Sequence, residues 1–311
     1  MTTRVLVTGA GGYIGSILIP ALLDAGYAVD ALDTYGRGDP VLAAVCHHPN
    51  FNPVKGDTRD ESIVKPLLQT ADIVIPLAAL VGAPICKREP LNAQTTNSDA
   101  IRMIVKNLSK EQRILYPTTN SGYGIGEKGQ FCTEETPLRP ISLYGTSKME
   151  AEDAVVGHGG VAFRLATVFG MAPRMRIDLL VNDFTWRAVT DRAVVIFEGH
   201  FMRNYVHIRD VVKGFMHGIN QYDSMGGGSY NMGLSSANLS KLELCAKIQQ
   251  HVPNFVFIEA PIGEDPDKRD YIVSNAKLEA TGWSPDWDLD RGIVELIKGY
   301  RMLQNSRYSN V

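Results

Sequence analysis

Cysteine is scarce and scattered in this chain. Cys46, Cys86, Cys132 and Cys245 form no Cys-x-x-Cys pair, which excludes a zinc ribbon or a dithiol redox motif and leaves reduced thiols in a cytoplasm as the expectation. Metal spacing is also absent among the seven histidines, His47 and His48 being adjacent instead of one helical turn apart. No sign of charge dominates. A formal net charge of −3 gives no electrostatic case for nucleic acid or an anionic membrane, so any phosphate binding has to be local. Long hydrophobic runs are missing too. The longest, Ile73 to Ile85, is too short to span a bilayer and is broken by Pro76, Gly82 and Pro84. The N-terminus enters a strand almost at once and shows no signal-peptide pattern. There is no internal repeat, and the one low-complexity piece, Met225-Gly226-Gly227-Gly228-Ser229, reads as a flexible loop.

What is present is an ordinary globular composition, 44% hydrophobic and 21% charged over 311 residues, which suits one large domain or two intimate ones. The stretch that organises the chain is Thr8-Gly9-Ala10-Gly11-Gly12-Tyr13-Ile14-Gly15. It follows a short apolar strand, Arg4 to Val7, and leads into Ile14, Ile17, Leu18, Ala21 and Leu22 on one helical face. Pro20 inside that helix predicts a kink or one lost hydrogen bond. A glycine-rich strand-to-helix turn cradles phosphate. Gly9 permits the tight turn, Gly12 admits a pyrophosphate close to the backbone, and Gly15 lets the helix pack against the strand while its free N–H groups face the anion. The Gly-x-x-Gly-x-x-Gly spacing is one residue wider at its start than the standard dinucleotide fingerprint. A second strand, Ala28 to Asp33, ends in a carboxylate placed to accept hydrogen bonds from an adenosine ribose, a position that turn-forming Asp residues also occupy. A carboxylate there repels the extra phosphate of NADP, so NAD is the expected cofactor, although Arg37 nearby is of the type that binds that phosphate.

Further strands at Phe51–Gly56, Asp72–Leu77, Arg113–Tyr116 and Val161–Phe169, with a helix over 93–109, continue the alternation. Six strands with intervening helices predict an α/β fold, a doubly wound parallel (Rossmann) sheet with ligand outside the strands' carboxyl ends. Leu77, Ala78 and Ala79 follow the fourth strand, where small residues permit the approach of a flat cofactor. Thr118 to Gly124 follow the fifth strand, and Tyr144-Gly-Thr-Ser-Lys148 comes next. Tyr144 and Lys148 stand at i, i+4 near a helix start and share one face. A neighbouring ammonium favours a phenolate, and lowering a tyrosine pKa by ~3 units takes ~4 kcal/mol, within reach of Lys148 together with an oxidised nicotinamide. A bare Tyr-x-x-x-Lys is commonly an exposed surface pair; the dinucleotide loop upstream makes it a catalytic candidate.

Taken together, TGAGGYIG, Asp33, LAA at 77–79, TTNSGYG at 118–124, YGTSK at 144–148, FRLATVFG at 163–170 and RNYVHIRDV at 203–211 resemble the extended short-chain dehydrogenase/reductases that act on nucleotide sugars. The motifs keep that family's order and span nearly the whole chain. The resemblance implies Thr119 as the hydroxyl partner of Tyr144, Asp57 and Thr58 beside the adenine, Tyr13 and Ile14 within the cofactor loop, and Arg203 on the substrate diphosphate. Asn120, Ser121 and Thr167 fall on its substrate side, Thr167 standing where relatives often have Asn. The C-terminal arginine that clamps the diphosphate in relatives has no clear counterpart, and Arg269 is the substitute. Stretches such as IPLAALVGAPICKR, YPTTNSGYGIGEK, APRMRIDLLVNDF and IGEDPDKRDY are most similar to the GDP-heptose 4-dehydrogenase branch of capsule pathways. That likeness favours a GDP-sugar over a UDP-sugar as substrate, and a homodimer as the assembly.

The domain reading places the NAD-binding Rossmann domain at 1–170 and 203–232, with a smaller C-terminal α/β substrate lobe at 171–202 and 233–311. Within the lobe, Arg174, Arg176 and Asn182 are candidates to hold the nucleotide, though a solvated basic loop fits the arginines equally. Ser240 with Glu243 is a capping box, and Trp283 and Trp287 around Pro285 read as packing anchors. Three activities remain open on this fold: a 4-dehydrogenase, a 4-epimerase and an NAD-sensing binding protein, the last disfavoured by the retained Tyr144 and Lys148. Asn120 and Ser121 stand where 4,6-dehydratases of the family carry acidic residues, so the chemistry is expected to stop at hydride transfer.

Overall fold

A computed structural model describes residues 2–36, 38–263 and 269–303; Arg37 and positions 264–268 of the IGEDPDKRDY stretch lie outside the described residues. Strand and helix alternate from the start: β1 (Arg4–Thr8), α1 (Gly15–Asp24), β2 (Ala28–Asp33), β3 (Phe51–Lys55), α2 (Glu61–Leu68) and β4 (Ile73–Pro76). Three short helices, α3 (Ala83–Arg88), α4 (Pro90–Gln94) and α5 (Ala100–Lys106), precede β5 (Arg113–Thr119) and the two-residue β6 (Phe131–Cys132). Next come α6 (Leu143–His158), β7 (Val161–Leu165), β8 (Thr167–Phe169), α7 (Leu180–Thr190), β9 (Ala193–Ile196), β10 (Met202–His207), α8 (Ile208–Asn220) and α9 (Tyr222–Met225). The chain ends through β11 (Ser229–Met232), β12 (Asn238–Ser240), α10 (Lys241–His251), β13 (Val256–Glu259), β14 (Ile272–Val273), α11 (Ala276–Glu279) and α12 (Leu289–Tyr300).

Seven strands make one parallel sheet in the order β11-β7-β5-β4-β1-β2-β3. Successive side chains of a strand point to opposite faces, and here both faces are covered. Val5 and Val7 pack with Leu18, Leu22 and Phe215 from α1 and α8, while Leu6 packs with Leu68, Ile104 and Val155 from α2, α5 and α6. That double burial is why the strands read as nearly continuous apolar runs. Pro53 lies in β3 at the sheet edge, where its missing N–H breaks no ladder. The strand order reverses between β1 and β4, which opens a crevice above their carboxyl ends.

Several expectations change. The sixth strand is split at Ala166: β7 stays in the main sheet, whereas β8 leaves it and pairs with β10, which pairs in turn with β12. Residues 203–207 therefore do not return to the main sheet, and β11 does so as a seventh strand. Gly226–Gly228 is not a loose loop. Gly227 N donates to the carbonyls of Gly159 (3.0 Å) and Gly160 (2.9 Å), which steers the chain into β11. Helix 93–109 is interrupted by a π-helical turn at Thr95–Asp99 between α4 and α5, and β5 runs three residues further than expected, through Thr119.

The lobe has its own core of Phe169, Met175, Val181, Phe184, Tyr205, Leu244, Ile248, Phe255, Ile293 and Leu296. Leu278 and Trp283 belong instead to the core under the main sheet, so the lobe does not run unbroken from 233 to 311. The capping box is formed as expected, Ser240 Oγ accepting from Glu243 N and Glu243 accepting from Ser240 N at 2.7 Å. Trp287 stacks on His207, ring centroids 4.1 Å apart, and His207 Nε2 lies 2.8 Å from Glu295 Oε2. The RNYVHIRDV motif is thus largely an architectural joint.

Candidate active site

The crevice predicted by the strand order is a cleft of about 550 Å³. One end is built by the turn between β1 and α1, where Gly9, Gly12, Tyr13, Ile14 and Gly15 all line the wall. Gly9 has φ +69°, and a Cβ there would stand 2.6 Å from the main-chain nitrogen of Ala78. Leu77, Ala78 and Ala79, packed against that turn, line the cleft as well. Gly15 packs against the turn's own carbonyl at Ala10 more than against the strand. Tyr13 contributes backbone to the cleft but turns its ring into the lobe core, its hydroxyl donating to the Gly170 carbonyl at 2.6 Å.

Asp33 stands at the end of β2. Its carboxylate accepts from Gly11 N at 2.9 Å and from Tyr35 N at 2.8 Å, so it closes a turn and braces the glycine loop, and it also lines the cleft. Asp57 and Thr58 follow β3 and line the same end. Arg59 donates to the Asp57 carboxylate from its guanidinium and its backbone N–H and holds it below the usual carboxylate range, with burial acting against it. Thr58 Oγ1 and Thr118 Oγ1 are buried in the wall with no hydrogen-bond partner. A glycine cradle that no Cβ could enter, a carboxylate at the second strand's end and two orphaned hydroxyls fit a bound dinucleotide.

The other end holds the expected catalytic residues. Ser142 caps α6 by accepting from Gly145 N at 3.2 Å, which sets Tyr144 in the first turn and Lys148 one turn on, both lining the cleft. Thr119 is the last residue of β5, and its Oγ1 accepts from Ser121 N at 3.1 Å and lies 2.9 Å from Ser121 Oγ. Burial pushes the Tyr144 phenol up to about 12. Arg269, then Arg176, then the Thr119 hydroxyl oppose that rise. Burial likewise pulls the Lys148 ammonium down to about 7, against the pull of Glu152, and its Nζ sits 4.0 Å over the Tyr116 ring. The expectation that Lys148 lowers the tyrosine is therefore modified: in the protein by itself the opposing cations are arginines.

On the substrate side, Ser121, Thr167, Arg176 and Arg269 line the cleft with Arg174. Arg176 is paired with Asp178 at 2.6 Å, and Arg269 donates to Ser121 Oγ. Three assigned residues are not brought to the wall. Asn182 is fully buried, its amide oxygen accepting from Gly170 N at 3.0 Å and its amide nitrogen donating to the Arg176 carbonyl at 2.9 Å, so it braces the lobe. Asn120 is buried in the turn behind Thr119. Arg203 is 3% exposed and donates to the carbonyls of Met202 and Arg269, supporting the arginine that does face the cleft. The sequence reading missed Arg59 and Tyr271, which line the cleft. Arg59 had a signal, since it follows the assigned Asp57-Thr58 pair; Tyr271 had none.

A doubly wound sheet, a glycine-turn cradle at its switch point and a Tyr-x-x-x-Lys pair with a threonine at the next strand end define a dinucleotide-dependent oxidoreductase. The sequence pattern of the NAD dependent epimerase/dehydratase family matches residues 5–233, and the chain belongs to that family. Its cofactor is accordingly NAD. Among its relatives, the low-salt glycan biosynthesis protein Agl12 of Haloferax volcanii is 29% identical, over 95% of this chain and 98% of that protein. UDP-glucuronic acid decarboxylase 2 of Arabidopsis thaliana is 28% identical over 96% of this chain and 68% of its own length. The solved structure of UDP-glucuronic acid 4-epimerase from Bacillus cereus, in complex with UDP-glucuronic acid and NAD, shares the fold with a TM-score of 0.84. The two are 23% identical over 97% of this chain and all of the other.

Proposed function

We propose that this enzyme oxidises the carbon-4 hydroxyl of a nucleotide-diphosphate sugar, and that its substrate is a GDP-heptose whose ketone is released. The observation that carries the reaction is the convergence of Tyr144, Lys148 and Thr119 on one end of a cleft whose other end is the glycine cradle. Bound NAD supplies the hydride acceptor. Tyr144, as the phenolate, takes the hydroxyl proton while the carbon–hydrogen bond breaks; Thr119 holds the oxygen as it becomes a ketone. Lys148 would orient the ribose of the bound cofactor, and Arg174 and Arg176 offer cations to the diphosphate. The GDP-heptose assignment is supported by the four quoted stretches. A 4-epimerase, which re-reduces the ketone on its other face, is supported by the fold shared with UDP-glucuronic acid 4-epimerase.

The deciding experiment is incubation with NAD and a panel of GDP-, UDP- and dTDP-sugars, read by NADH absorbance and product mass. A product two hydrogens lighter, with NADH released, is expected; unchanged mass without net NADH assigns the epimerase. Loss of water or of carbon dioxide overturns both. Tyr144→Phe is expected to lower turnover by ~10² to 10⁴-fold while leaving NAD affinity, measured by calorimetry, nearly intact.

A further inference from the structure

Arg269 reaches the cleft by a route that local sequence does not reveal. Segment 269–271 runs beside the loop after β5: Gly126 N donates to the Asp270 carbonyl at 2.8 Å, and Asp270 N donates to the Gly124 carbonyl at 3.4 Å. Met202 N donates to Asp270 Oδ1 at 2.8 Å, and Arg203 donates to the carbonyl of Arg269 itself. These anchors carry the guanidinium onto Ser121 Oγ. Ser121 Oγ in turn stands 2.9 Å from Thr119 Oγ1. A cation, two hydroxyls and the reacting phenol therefore follow one another at the end of the cleft.

We propose that Arg269 is a positioning residue for Tyr144: its guanidinium fixes the Ser121 and Thr119 hydroxyls and keeps positive charge beside the phenolate used in the reaction. The inference rests on the reading of Tyr144 as the proton acceptor. Tyr144 is faced by Cys86 from α3, by Tyr116 and Thr119 from β5, by Arg176 and by Arg269, with Lys148 and Glu152 following on its own helix. Arg176 is occupied by Asp178 at 2.6 Å, which offsets its charge. Burial depletes Lys148 of its proton near neutrality. Arg269 is the largest single influence that opposes the burial of the phenol. A residue given by its resemblance to the diphosphate thus acts at the reacting end.

The test needs no sugar. The NAD-saturated protein is titrated by tyrosinate difference absorbance, and the Tyr144→Phe trace is subtracted to isolate one phenol among the 12 tyrosines. Arg269→Gln is expected to move the midpoint up by about one pH unit, about tenfold less phenolate at a fixed pH. Arg269→Lys restores most of it, and Ser121→Ala, which leaves the charge in place, moves it less. Calorimetry of NAD binding serves as the folding control, and Arg269→Met replaces the Gln variant should that one not fold. An unmoved midpoint in a variant that still binds NAD overturns the proposal and returns Arg269 to the diphosphate. A wild-type midpoint that stays at about 12 with NAD bound overturns the proton-acceptor reading of Tyr144 itself.

Discussion

Lys148 shows what a buried ammonium, here one proposed to serve the reaction, does to the protein that carries it. Its ammonium is buried over the Tyr116 ring and held at about 7 instead of the ordinary 10.5, burial being the dominant cause. Below about pH 7 the folded and unfolded lysines both carry the proton; between about 7 and 10.5 the unfolded one alone does. Stability without cofactor should therefore rise with pH across that window. Lys148→Met is expected to remove this slope and raise the thermal midpoint at pH 7, because an apolar chain of similar length suits the same site. Calorimetric scans at pH 7, 8 and 9 check it, and a mutant with the wild-type slope would remove the assignment of the slope to Lys148. Of the residues at this end, Tyr144 and Lys148 were legible because their relation is local, one helical turn. Arg269 was named only through the resemblance and only for the diphosphate, since its contact with Ser121 spans 148 positions. Asn182 misled for the opposite reason: an amide in a basic stretch looks like a ligand contact, and only burial shows it holding Gly170 and Arg176.

At the scale of elements, the strands of the main sheet were legible wherever both of their faces are buried, because apolar runs bounded by turns leave few alternatives. The split between β7 and β8 was not, since the stretch from Val161 to Phe169 reads as one continuous strand and sheet exchange at Ala166 leaves no mark in composition. The π-helical turn between α4 and α5 was likewise invisible, its residues having helical periodicity on both sides. What locks these elements together includes a buried polar knot. Arg164 on β7 donates to Glu152 on α6 at 2.9 Å, to the Tyr123 hydroxyl at 3.1 Å and to the Glu134 carbonyl at 3.1 Å. Ser229 on β11 donates to the same Glu152 at 2.6 Å. Removing one side of a buried pair strands the other charge, so Arg164→Ala should cost about 3–5 kcal/mol. Denaturant unfolding measures this directly, and a loss below about 1 kcal/mol would mean that the knot is not stabilising.

Across the whole molecule, the two lobes are entwined rather than strung in series. The chain leaves the main sheet after β7, builds part of the lobe, returns for β11, builds the rest, and comes back again to place Leu278 and Trp283 under the first core. Thermal unfolding should accordingly be a single transition. NAD at a hundred times its dissociation constant is expected to shift that transition as one unit, adding about 2.7 kcal/mol. Two resolved transitions, or a shift of one half alone, would contradict this.

The crossing path also bears on how such enzymes diversify. A truncation or lobe exchange made at any one crossing removes β11, or the Trp283 anchor, from the half that binds cofactor. New sugar preferences in this architecture should therefore arise by replacing side chains on a standing lobe, one position at a time, and not by shuffling domains.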